Sequence, residues 1–138
     1  LLATAVKHLP EEQAAQVSPD LPLRANLSAR ENIALIPLYQ KHYDVAESSR
    51  QAQKLLDQMG FSTIGDKRDP DMDPSERFVT KLARALILKR PQLVIERPGA
   101  MLYDIPYPAF LRELASRFNG SPAKWDVFDF DWNLPLYN

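Results

Sequence analysis

The sequence predicts an α/β fold whose front half is helical. Three observations carry that expectation: capping boxes at Ser28, Asp44 and Asp73 that open amphipathic stretches, an apolar run at Leu93-Val94-Ile95 without polar alternation, and a further helix followed by an alternating tail. With 138 residues, 45% of them hydrophobic, the chain has enough material for one globular core, as one domain or a piece of a larger one.

Residues 1–26 hold Pro10, Pro19 and Pro22 and few periodic apolar positions, so a loop-rich lead-in is expected, with one short helix over Glu11–Gln16. Residues 27–90 form the helical region. In Ser28-Ala29-Arg30-Glu31 the serine oxygen is placed to accept an orphan amide while the glutamate reaches back. Ile33 to Leu38 is the apolar body of that helix, and Pro37 is expected to kink or end it. Asp44-Val45-Ala46-Glu47 opens a second helix with Val45, Ala52, Leu55, Leu56 and Met59 on one face and Gly60 at its end. A charged loop over Asp66 to Asp71 leads to Asp73-Pro74-Ser75-Glu76, which places proline at the favoured first position of a third helix lined by Phe78, Val79, Leu82, Ala83 and Leu86.

Residues 91–138 carry the strands. The run at Leu93 suits a strand covered on both faces. A helix is expected from Pro108 to Phe118, closed by Gly120, and then a half-buried strand over Trp125 to Trp132 with Phe128, Phe130 and Trp132 on one side and Asp129 and Asp131 on a solvated face.

Composition removes several function classes. The 17 basic and 18 acidic side chains nearly cancel, which leaves no global field to draw the chain onto nucleic acid. No cysteine is present, so disulfides, thiolate catalysis and cysteine metal sites are excluded, and His8 and His42 alone make a histidine-rich metal site unfavourable. No apolar run reaches the roughly 18 to 20 residues that span a bilayer. The chain opens on Leu1 without methionine, as an excised or processed product would, which leaves room for function upstream. No Gly-x-x-x-x-Gly-Lys-Ser/Thr phosphate loop occurs, and four glycines provide no other cradle.

Over roughly residues 16–104, several segments in order resemble an ABC transporter ATPase domain. Leu27 to Leu35 resembles the start of that family's helical subdomain, Leu55 to Phe61 its second helix and turn, and Ala83-Arg84-Ala85-Leu86 the end of its signature helix. The resemblance implies a fragment of a P-loop-type ABC ATPase fold, with the helical subdomain followed by the Walker B strand. It also implies ATP and Mg as cofactors, a transporter permease and a second ATPase as partners, and a cytoplasmic position peripheral to the membrane.

Carried onto this sequence, the family's signature falls on Met72, Asp73, Pro74, Ser75 and Glu76, where the family holds a phosphate. Here Asp73 and Glu76 bring negative charge and Pro74 removes an amide, so the residues themselves read as a self-capped helix start. Glu96 falls on the magnesium-linked aspartate and could act weakly through water; Arg97 falls on the catalytic glutamate and cannot take a proton as a general base. The plain alternative is that Glu96 and Arg97 are polar residues ending a buried strand. Tyr103 falls on the aspartate of the next loop, and Gln16 is the nearest candidate for the glutamine loop, although a helix-surface role serves it equally. The family's switch histidine has no counterpart, Trp132 or a neighbour standing near its place.

The resemblance puts permease contact at Ile33, Ile36 and Tyr39, with core packing as the competing role of the two isoleucines. The expected function is a degenerate ABC ATP-binding subunit or fragment that couples to a permease, with poor or no hydrolysis and no nucleotide or magnesium bound by this chain alone. Two alternatives stand beside it: an ATPase completed by an upstream phosphate loop or a partner's carboxylate, and an unrelated small α/β interaction domain.

Overall fold

The computed structural model describes residues 13–122 and 124–137. They divide into two compact units, one of Pro22–Leu88 and one of residues 13–21 with 89–137. The described part of the lead-in up to Leu21 groups with the strands.

The first unit is built on α1 (Ala29–Gln40), α2 (Val45–Gln58) and α3 (Pro74–Leu86), each of which packs on the other two. Ile33, Ala52, Leu56, Phe78, Val79 and Leu82 are buried between them. Each large side chain taken fully from water contributes about 1.5–3 kcal/mol, which outweighs the modest helix propensities of β-branched and aromatic residues. The caps follow the sequence with one exception. Ser28 and Glu31 exchange both bonds of their box, at 3.1 and 2.9 Å. Asp44 accepts from the Glu47 amide at 2.8 Å, but the Glu47 carboxylate turns to Arg50 and Gln51, so that box is only half made.

Pro37 does not end α1, which runs on to Gln40. Proline deletes one amide bond, and here its ring is buried while its carbonyl accepts from Lys41 and Tyr43. Gly60 leaves α2 with φ of 83°, as expected of the residue after a helix. Arg30 on α1 donates to Gln53 on α2 at 3.0 and 2.8 Å and to Asp66 at 2.6 Å. A Cβ at Gly65 would press on that guanidinium, so a side chain there would make the Arg30 head group shift.

The second unit holds β1 (Ala14–Val17), β2 (Gln92–Glu96) and β3 (Lys124–Phe128) in one parallel sheet of order β1-β2-β3. The register pairs Ala14 with Gln92 and Val17 with Ile95 on one side of β2, and Gln92 with Lys124 and Glu96 with Phe128 on the other. Leu93, Val94 and Ile95 are buried, as a central strand covered on both faces requires. After β2 come α4 (Pro98–Met101) and α5 (Tyr107–Ser116), and after β3 a 3-10 helix over Asp131–Tyr137.

Two expectations fail in this unit. The helix over Glu11–Gln16 is instead strand β1 from Ala14 onward, Glu11 and Glu12 lying outside the described residues. Alanine favours helix in isolation, but pairing with β2 and burial of Ala14, Ala15 and Val17 override it. The last strand stops at Phe128 rather than Trp132. Beyond it Phe130 and Trp132 stack ring on ring, 4.4 Å apart and 6° from parallel, which alternate positions of one flat strand would not allow.

Candidate functional site

Because the three strands are parallel, their carboxyl ends lie on one edge of the sheet, the place where open α/β sheets bind ligands. Each strand delivers polar residues there: Ser18 and Asp20 follow β1, Glu96 and Arg97 stand at the end of β2, and Asp129 follows β3. Gln16 is not at this edge. It sits within β1, half-buried and in register with Val94.

Glu96 is buried, its side chain only 9% exposed. Burial of a carboxylate is costly unless a cation answers it. Arg97 supplies that cation, its Nη2 standing 3.4 Å from Glu96 Oε1 and also hydrogen-bonded to Asp20 Oδ2. The backbone of Arg97 is left-handed, with φ 48° and ψ 59°, a conformation that costs a side-chain-bearing residue roughly 1–2 kcal/mol. Its amide donates to Phe128 O at 2.7 Å and so ties the turn to β3, while its Nε is buried with no acceptor.

The donor set at this edge does not fit a divalent cation. Magnesium takes an octahedron of oxygens at about 2.1 Å, whereas here the two carboxylates that approach one another are already bridged by a guanidinium that would repel it. Among the described residues no group of three acidic or histidine side chains forms a metal-ligand set. Glu96, expected as a weak magnesium ligand, is a partner of Arg97 instead.

Asp129 was expected on a solvated face and is buried. It accepts from Tyr107 at 2.8 Å, Tyr137 at 2.9 Å, Asn133 at 3.0 Å and the Phe130 amide at 2.7 Å. Burial alone would raise its pKa, but these four donors outweigh burial and hold the carboxyl below its usual range. Burial, and then the adjoining carboxylate, push the Tyr107 phenol up to about 12 and the Tyr137 phenol up as well. Sequence gave no sign of this cluster except a tyrosine on either side of Asp129, at distances no local motif uses.

In the helical unit, the residues at the signature positions form the start of α3. Asp73 accepts from the Glu76 amide at 2.8 Å, Glu76 accepts from the Asp73 amide at 3.0 Å, and Lys67 donates to both Glu76 oxygens at 3.1 and 2.9 Å. Burial works to raise the Glu76 pKa, yet the Asp73 amide and the Lys67 ammonium prevail and hold it below the ordinary value. Met72 is buried, Pro74 opens the helix and Ser75 is half-buried. A helix start whose amides already donate to internal carboxylates offers an added phosphate little but repulsion.

The three residues expected at a permease contact separate. Ile33 is 0% exposed and belongs to the helical core, Ile36 is half-buried, and Tyr39 is 72% exposed near the end of α1. The burial of Ile33, the core-packing role weighed beside permease contact, follows from its position on the stripe that faces the other two helices. Tyr103, at the position of the next loop's aspartate, is also exposed.

No protein-family model matches the sequence. No curated protein matches it either. Solved structures do match the fold. A dimeric structure of the ATP-binding cassette MJ0796 in a post-hydrolysis state, bound to ADP and Pi, aligns at a TM-score of 0.70 and 16% identity, over 91% of this chain and 59% of that one. CbiO1 from Clostridium perfringens, part of the ABC transporter complex cbiONQ, aligns at a TM-score of 0.74 and 18% identity, over 91% of this chain and 51% of that one. The chain thus spans a little over half the length of these structures. Its helical unit and its three parallel strands together carry part of the fold of an ABC ATPase domain.

Proposed function

We propose that the chain acts as a degenerate ABC-type ATP-binding subunit, or as a fragment of one, that couples to a membrane permease and hydrolyses ATP poorly or not at all. The observation that carries this reading is Arg97 at the end of β2, ion-paired with Asp20 and Glu96 at the position where the family keeps its catalytic glutamate. A guanidinium so held cannot draw a proton from an attacking water. The self-satisfied start of α3, at Met72 to Glu76, supports the same conclusion for phosphate.

The permease contact is assigned to the exposed Tyr39, with the half-buried Ile36 one helical turn before it. Support for a transporter comes from the cbiONQ neighbour, and support for pairing with a second ATPase from the dimeric one. The working position is the cytoplasmic face of a membrane, held through the permease; among the described residues no helix is long and apolar enough to cross a bilayer.

A second reading has one observation in its favour. The neighbours are nearly twice as long as the part this chain matches, so a phosphate loop from an upstream segment or a partner subunit would complete an active ATPase.

Calorimetric titration of MgATP into the protein, with phosphate release measured on the same sample, separates the two. Absence of release is expected. Release at a rate typical of an enzyme, above about 1 per second, would sink the degenerate reading, and turnover appearing only with a partner would support the composite one. Tyr39→Ala is expected to weaken capture by the permease while leaving the melting temperature unchanged; equal capture would remove Tyr39 from the contact.

A further inference from the structure

Glu96 presents a problem that the proposed coupling role does not address. Its carboxylate is nine-tenths buried at the end of a central strand, and among the described residues Arg97 Nη2 is its ion-pair partner. That same nitrogen meets Asp20, which lies in the loop after β1 and whose own side chain is 72% exposed. One guanidinium nitrogen therefore stands against two carboxylates from segments far apart in sequence, an arrangement that a divalent ion bridging two strand ends would otherwise occupy.

The cost of reaching this arrangement is visible in the residue itself. Arg97 adopts a left-handed backbone although glycine would do so without strain, and its buried Nε finds no acceptor. Against both penalties stand the contacts that its other atoms make. The two ion contacts, at Asp20 and at Glu96, are what those atoms do.

We propose that Arg97 is the built-in cation of this sheet edge: its guanidinium neutralises the buried Glu96 and tethers the loop after β1 through Asp20, so that the strand ends are organised without a divalent ion. Arg97 is a positioning residue in this role. The inference rests on the geometry of the strand ends and not on permease coupling, so equal permease capture by Tyr39→Ala would overturn that contact and leave this inference standing.

The test is amide hydrogen exchange across Ser18 to Leu21, with and without millimolar Mn2+, in the wild-type protein and in Arg97→Gly. Glycine removes the guanidinium and relieves the backbone, so the variant separates charge from strain. Exchange in the loop is expected to rise about tenfold in Arg97→Gly as local opening becomes easier. Added Mn2+, bridging Asp20 and Glu96, should restore protection in that variant, leave the wild type unaffected, and have no effect in Arg97→Gly/Glu96→Gln. Unchanged exchange in Arg97→Gly, or a Mn2+ response in the wild type equal to that of the variant, would overturn the proposal. Should Arg97→Gly fail to fold by circular dichroism, Asp20→Asn reads the same tether at an exposed position: faster loop exchange supports it, and unchanged exchange overturns it.

Discussion

The start of α3 in the helical unit and the end of β2 in the strand unit are two places onto which the resemblance carries nucleotide-site residues, and this chain fills them in different ways. At α3 the polar groups come from one local stretch, with Asp73 and Glu76 closing on each other and Lys67 joining from the preceding turn. At β2 they come from afar, with Asp20 and the Phe128 carbonyl reaching Arg97 from segments on either side of the helical unit in sequence. Both places are satisfied from within. The difference teaches that a site can be closed by local capping chemistry or by long-range ion pairing, and that the two closures should fail under different perturbations.

The largest perturbation breaks the helical unit through its interior. Phe78→Ala on α3 is expected to cost about 3–5 kcal/mol, the usual loss for a buried aromatic that leaves a cavity, read as a fall in the denaturant midpoint. Ile33→Ala should cost about 2–4 kcal/mol for the same reason. A loss below half of that at Ile33 would return it to the list of surface contacts. Next comes the polar interior of the strand unit. Asp129→Ala strips four donors of their acceptor and is expected to cost about 2–4 kcal/mol, with loss of the Trp132 environment in fluorescence.

Asp129 also sets a pH dependence whose sign differs at the two ends of the range. Its carboxyl is depressed in the fold, so its stabilisation is complete above the ordinary aspartate pKa and is lost as pH falls through the lower folded value. Tyr107 is raised to about 12, so its contribution is complete below the ordinary phenol value and disappears as pH climbs from there through about 12. The terminal 3-10 segment should therefore loosen in strong acid and above about pH 10, followed by Trp132 fluorescence. Loosening near neutrality would contradict the hydrogen bonds at Asp129.

The smallest expected effect falls on the local closure. Asp73→Ala removes one N-cap and should cost about 1 kcal/mol. A loss several times larger would mean that the start of α3 is not closed by local capping.

Legibility in the sequence divides along the same line. All three helices of the first unit could be read because their signals lie within a few residues: a cap and a stripe, with a terminating glycine at α2. Pro37, the Glu47 half of a box and the exposed Val45 departed, since whether a proline ring finds cover or a glutamate finds an arginine depends on neighbours beyond the cap. In the strand unit β2 was legible from its unbroken apolar run. β1 was not, because Ala14 and Ala15 have no β preference of their own and become strand through β2. The same limit explains the site. The identities of Arg97 and Glu96 told against general-base chemistry, but the Asp20 contact spans the whole helical unit in sequence, and a buried Asp129 read like any aspartate on an alternating strand.

β1 and β2 are hydrogen-bonded neighbours separated in the chain by all of Pro22–Leu88. Formed from an open chain, their pairing must close a long loop, at an entropy cost that grows with the logarithm of loop length, whereas each helix of the intervening unit needs only local contacts. The order of folding events follows: the helices should gain protection first, and the sheet edge that Arg97 organises should be the last part of the molecule to reach its native arrangement.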